Sequence, residues 1–477
     1  MTRNNFIKFR LKNIITILII VIPLFGNAQK QGNIWYFGDH AGLDFNNTPP
    51  TPLLNGQISI YPPFGWNEGC SSISDSSGSL LFYSNGEKIW NKNHQMMLNG
   101  DSLLGHRSST QSCIIVPQPN SQRYFYVFST DASENIFQNG LRYSIVDICL
   151  DGGIGGVMPA HKNIKLIDTT NEKLICIRHT NGNDYWIISH LNNSDAFCAF
   201  RLTSSGMVDT IISHTGTFDM NSFAATGGQM VATLNGLKIA YAKPSTVNGF
   251  TLLLDFDPST GIVSNEQTLN TLNTEYAVAF SSDNSKLYFS TVGHGEIYQY
   301  NLNAGNLSAI LASKTYIIVS GPDGWEGMQL APDGKIYISR AQRTYLSAIA
   351  NPDSLCPACN YIENAVSLGS QKASFCLPNF IAGFNYSNTT YNCESGIYEQ
   401  KQNTGITIYP NPATDNLTIE THDKATIEIL NIEGEIIKTV KNNGKETAID
   451  LRNLSSGIYI IKAKTERGVA VKKFIKE

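Results

Sequence analysis

A turn rich in Asp, Asn, Ser and Gly, followed at once by a short aromatic and β-branched strand, recurs along this chain. That recurrence limits the fold more than any other feature. The unit reads NIWYFG from 33, SDSSGSLLFYS from 74, PNSQRYFYVFS from 119, TNGNDYWIIS from 180, LNGLKIAYA from 234, SSDNSKLYFS from 281 and APDGKIYIS from 331. Successive strand centres lie roughly 45 to 60 residues apart, room for about four strands per unit. GFTLLLDFDPSTGIV from 249 and GEIYQYNLNAGNLSA from 295 each predict a strand, an Asx-type turn and another strand.

A small sheet cannot bury both of its faces alone, so such units must supply one another's cores. The expectation is an all-β chain in which residues 29–386 form a seven-bladed β-propeller. FCLPNFIAGFNY, from 375, has no copy elsewhere and is expected to close the ring as a strand beside NIWYFG.

Composition narrows the partners. Charged residues make up 16% of the chain and the net charge is −4, so no basic field exists to hold nucleic acid. Arg3, Lys8, Arg10 and Lys12 precede the apolar run IITILIIVIPLF, and Gly26 and Ala28 are small residues suited to a cleavage site. Residues 1–28 therefore read as a secretory signal peptide. In an exported chain disulfides persist, and Cys356, Cys359, Cys376 and Cys393, clustered late, are the candidates for one or two of them. Cys70, Cys113, Cys149, Cys176 and Cys198 sit singly in apolar strand patterns and read as buried thiols.

The first strand of each blade should line the axis. Aligning three units on Asp75, Asp283 and Asp333 puts Glu68, Tyr276 and Glu326 at one offset, seven residues upstream, with Glu275 beside the tyrosine. Glu68, Glu275 and Glu326 could then face one funnel and hold a divalent cation, Ca²⁺ by preference for oxygen ligands, or share a proton. A glutamate lining a channel serves equally well by accepting backbone N–H bonds. Trp66 and Trp325 stand just before two of these acids, as in aromatic sites for sugars or cations, although packing between blades also accounts for them. GDSLLGHRS, from 100, has His106 where a phosphate loop needs lysine and reads as a turn. No nucleophile with a base beside it is legible.

YPNPATDNLTIE, from 409, starts something new. Pro410 and Pro412 end the preceding segment, and NLTIE, ATIEILNIEG, EIIKTV, TAIDL, GIYIIKAK and GVAVKKFI then alternate as half-buried strands. Residues 405–477 are expected to fold as a small immunoglobulin-like β-sandwich, with 387–404 as linker.

The ordered run YPNPATDNLTIE, IEILNIEGEIIKTV, IDLRNLSSGIYIIKAKTERGVAVKKFIKE resembles the type A C-terminal sorting domain of the type IX secretion system. That resemblance implies export across the outer membrane by the type IX machinery, removal of the domain, and surface attachment or release. NIWYFGDHAGLDFN, EGCSSISDSSGSLLFYSNGEKIWNKNHQMMLNG, SSTQSCIIVPQP and FCLPNFI resemble the N-terminal propeller-like region of gliding-associated PKD-repeat surface proteins. No activity comes with the second resemblance; the expectation is a secreted or surface binding module without catalysis of its own, recognising a ligand such as a surface polysaccharide or other glycan at the rim or funnel of the ring, where blade loops converge. The alternative is a metal-assisted hydrolase or lyase built on the funnel acids.

Overall fold

The computed structural model describes residues 29–60, 67–215, 226–244, 249–270, 274–293, 295–319, 326–384, 386, 391, 393, 406–421, 423–432, 434–443, 445–465 and 468–477. The expected signal peptide, Trp66, Trp325 and most of the expected linker lie outside them. The chain divides into two units, Met1–Cys393 and Glu394–Glu477.

The turn motif acts as the repeat implied. Asp75 accepts the N–H groups of Ser77 and Ser79 at 2.8 and 3.0 Å, and Asp283 accepts that of Ser285 at 2.9 Å. Gly78 and Gly334 take the left-handed conformation, with φ of 90° and 80°, that these tight turns require. Each turn joins the first two strands of an antiparallel meander, and among the described residues of the first unit seven such sheets of three to five strands follow one another in sequence.

Burial falls off from first strand to last. In the fourth sheet Ile175–Arg178 and Tyr185–His190 are almost wholly buried, whereas much of the last strand, Gly206–His214, is exposed. The sixth sheet departs from expectation. NLSA, read as leading directly into a strand, forms the short helix Leu307–Ala312, because the Asn306 side chain caps it by accepting the Ala309 N–H at 3.0 Å. The strand Thr315–Val319 comes after it.

The sheets are stitched near the starts of their first strands. Asn379 N–H donates to the Cys70 carbonyl at 2.8 Å, Gly69 to Ser109 at 3.0 Å, Gln111 to Glu172 at 3.1 Å and Glu172 to Thr226 at 3.4 Å. Gln229 N–H donates to Tyr276 at 2.7 Å, Ser290 Oγ to the Glu326 carbonyl at 2.8 Å, and Gly327 N–H to Phe375 at 2.7 Å. Phe375 and Asn379 belong to one segment, so this series of bonds, taken through the second to the seventh sheets, returns to the segment where it began.

That segment lies beside the first sheet, but not as the strand expected from FCLPNFIAGFNY. Asp39 and Lys372 exchange backbone bonds of 2.8 and 3.3 Å, and no strand follows. Pro378 has no N–H to give a ladder. Asn379 is turned to other sheets: its Nδ2 donates to the Leu174 carbonyl at 2.7 Å and its carbonyl accepts Ser71 Oγ at 2.8 Å. Phe380 packs on Trp35 with ring centroids 5.8 Å apart, and Trp35 meets Tyr337 of the seventh sheet edge-on at 6.2 Å. Between this segment and the first strands remains a cavity of about 60 Å³, lined by Ile175, Met230, Val278, Met328, Phe380 and Phe384. It would hold about two waters.

The second unit has two antiparallel sheets of three and four strands around one core that includes Leu417, Ile427, Ile449, Ile461 and Phe474. Its first strand, Ile406–Tyr409, precedes the two prolines and pairs with Asn416–Thr421.

Two disulfides form, with one change from expectation. Cys356 pairs with Cys359, and Cys393 pairs with Cys149, read from sequence as a buried thiol. Cys149 is only half-buried, in the turn after the strand Leu141–Asp147. Cys376, a disulfide candidate, is instead a free buried thiol, as are Cys70, Cys113, Cys176 and Cys198.

Candidate functional site

At the end where the first strands start, two glutamates meet over one hydroxyl. Glu68, two residues before Cys70, and Glu172, two before Leu174, hold matching places ahead of the second and fourth sheets. Thr110, ahead of the third sheet, has its Oγ1 3.4 Å from Glu68 Oε2 and 3.0 Å from Glu172 Oε2. Its N–H also donates to Glu172 at 3.1 Å, and its Oγ1 accepts the Gly228 N–H at 3.1 Å. Tyr276, from the sixth sheet, donates its hydroxyl to Glu68 Oε2 at 2.9 Å and lies 3.3 Å from the Cys376 sulfur. Ser108 links Glu68, at 3.3 Å, to the outer carboxylate Glu134, at 2.6 Å. Lys173 donates to the carbonyls of Thr226 and Gly227 and stands over the Tyr241 ring at 4.4 Å.

The electrostatics follow from crowding of acids in a poorly hydrated place. Burial first, then the neighbouring Glu172, pushes the Glu68 carboxyl well above the carboxylate range, against the hydrogen bond from Tyr276. Burial and then Glu134 push Glu172 upward, against the Thr110 and Ser133 N–H groups. Burial also raises the Tyr276 phenol, which stays a donor. The pair holds a proton to higher pH than free glutamates do, presenting a hydrogen-bond donor and acceptors together.

The other two acids aligned in sequence do not join this pair. Glu275 is fully buried and its charge is felt by Tyr300 and Lys314, because adjacent residues of a strand point to opposite faces and Tyr276 takes the inward one. Glu326 is fully buried 3.8 Å from Arg340 Nε, and burial raises it to about 8 despite that cation. Glu68, Glu275 and Glu326 thus occupy three environments, and among the described residues no three His, Cys, Asp or Glu side chains are gathered to hold a metal ion. The shared Ca²⁺ site has no support in this arrangement.

Glu172 and Thr110 were missed. Alignment on the turn aspartate cannot reach Glu172, because the fourth unit spaces its turn differently. The repeated Asn-Glu before the strand, Asn67-Glu68 and Asn171-Glu172, was the usable signal. Ser109 is buried against Thr130 Oγ1 at 2.8 Å, and its neighbours Ser108 and Thr110 reach the acids. Arg107, whose carbonyl accepts the Glu68 N–H at 2.8 Å, lines with His106 and Glu87 an open polar groove of about 420 Å³.

The family described as secretion system C-terminal sorting domain matches residues 407–477. No curated protein matches the chain. Among solved structures, PorZ, described as an essential bacterial surface component of the type IX secretion system of Porphyromonas gingivalis, is 12% identical with a TM-score of 0.35. The match covers 92% of this chain but only 62% of PorZ. A functionally unknown protein from Desulfotomaculum acetoxidans is 12% identical, with 73% of this chain and 99% of that one covered and a TM-score of 0.39. The periplasmic gluconolactonase PpgL of Pseudomonas aeruginosa is 10% identical, with 81% and 98% covered and a TM-score of 0.34. At these identities and TM-scores none of them assigns an activity to this chain.

The sorting domain implies interaction with the type IX secretion machinery, export, and a secreted or cell-surface location. No helix of the described residues is long and apolar enough to cross a membrane.

Proposed function

We propose that this exported protein is a binding module: a seven-bladed β-propeller that recognises its ligand at the end of the ring where Glu68, Thr110, Glu172 and Tyr276 come together. In this reading the C-terminal immunoglobulin-like sandwich is its address to the type IX machinery, and residues 1–28 are its signal peptide. The circuit of bonds from the closing segment through the second to the seventh sheets and back to that segment supports the propeller. The observation that carries the binding role is the pair of acids bridged by Thr110 and reached by Tyr276.

A carboxyl pair that keeps a proton to higher pH, joined through the Thr110 hydroxyl and reached by that of Tyr276, offers donors and acceptors together, which suits a neutral, hydroxyl-rich ligand such as a surface polysaccharide. Adhesion follows from such binding on a cell surface. The absence of a gathered metal set among the described residues leaves the metal-assisted hydrolase without an observation in its favour.

The test is a glycan array probed with the full exported protein and with Glu68→Gln/Glu172→Gln. Selective binding by the wild type that drops at least tenfold in the variant is the expected result. Equal binding by both, or none by the wild type, would overturn the reading.

A further inference from the structure

The path of the chain after the closing segment has a simple logic. Asn379 and Phe375 complete the circuit of the sheets. Tyr386 is then buried, and its carbonyl accepts Gln29 Nε2 at 2.7 Å and Arg178 Nη1 at 3.2 Å. Tyr391 packs on Phe125 of the third sheet with ring centroids 4.7 Å apart. Cys393, bonded to Cys149 of the same sheet's turn, is the last residue of the first unit. The chain thus leaves the closing position, crosses towards the third sheet and is fixed there covalently just before the second unit begins.

A ring whose first sheet is completed by late residues has its weakest point there, since those residues can fray from the end that leads onward. We propose that the Cys149–Cys393 disulfide is a latch that stops this fraying, so that the ring stays shut whatever happens to the sorting domain during export, docking or removal. The inference rests on the closed-ring reading above. It assigns Cys393 a role different from that of Cys356–Cys359, which closes a short loop at sequence separation 3 against 244 for the latch.

The molecule carries its own reporter. Cys376 lies in the closing segment, is 1% exposed and has its thiol pushed well above its usual range by burial, so it is unreactive while the segment is seated. Cys198, within the fourth sheet, is equally buried and reports unfolding of the body. Alkylation by iodoacetamide under native conditions, with each cysteine followed by mass spectrometry, is read in four full-length proteins. These are the wild type, Cys149→Ser/Cys393→Ser, Cys356→Ser/Cys359→Ser, and Ile427→Asp, which places a charge in the core of the second unit.

The latch predicts slow Cys376 labelling in the wild type, in Cys356→Ser/Cys359→Ser and in Ile427→Asp. It predicts at least tenfold faster labelling in Cys149→Ser/Cys393→Ser, with Cys198 still protected. Equal Cys376 rates in all four proteins, Cys376 exposed by Ile427→Asp with the disulfide intact, or Cys198 exposed together with Cys376, would overturn it. Fast Cys376 labelling in the wild type would instead overturn the closed ring on which the latch depends.

Discussion

Single carboxyl groups give this protein a pH dependence opposite to that of ordinary acids in ion pairs. Glu326 ionises in the unfolded chain near the usual 4.5 and in the folded one at about 8, so the folded state binds its proton more tightly. The stability it contributes is complete below the lower value and is lost as pH rises through the higher one, at up to about 1.4 kcal/mol per pH unit in between. The urea midpoint of the wild type should drop as pH rises from the lower value to the higher, and Glu326→Gln should flatten the profile; an unchanged slope would refute the assignment. The Glu68–Glu172 pair acts in the same direction. Thr110→Val keeps the shape of the side chain but removes the hydroxyl between the two acids and should cost about 1–3 kcal/mol, measured by the same denaturation. Glu68 was legible as a site residue because it sits at a fixed offset from a turn. Its partner Glu172 was not, since an offset along one unit says nothing about which residues of other units meet it.

At the scale of elements, the turn chemistry carried most of the information. Asp75, Asp283 and Asp333 were each read as turn residues, and each accepts a backbone N–H from two residues ahead. Gly334→Ala tests this in isolation, because nothing lies within 4 Å of the added Cβ while φ is 80°. Only backbone strain is introduced, and a loss of about 1–2 kcal/mol is expected in thermal unfolding. Gly78→Ala should cost more, for its Cβ would fall 2.1 Å from Asn46 Oδ1, whose side chain also holds the Gly78 carbonyl. The segment from 375 was read as a strand on its apolar pattern. Pro378 and the bonds of Asn379 to several sheets decided otherwise, because alternation cannot distinguish a residue facing one neighbour from one facing many.

For the whole molecule, the two disulfides separate local from global contributions. Cross-linking stabilises chiefly by restricting the unfolded chain, and more for longer loops. Calorimetry should find Cys149→Ser/Cys393→Ser less stable by about 2–5 kcal/mol and Cys356→Ser/Cys359→Ser affected less. The reverse order would show that loop length does not set these contributions. The sequence by itself determined the all-β class, the sevenfold recurrence, the turns and the sorting domain at the C-terminus, because all of these are written in local spacing and in the order of short segments. Only the tertiary structure decided that Glu172, Thr110 and Tyr276 gather on Glu68, that Glu275 and Glu326 turn away, and that Cys393 reaches Cys149. Those are contacts between distant units, set by how the sheets pack against one another, and no period or pattern along a single strand encodes them.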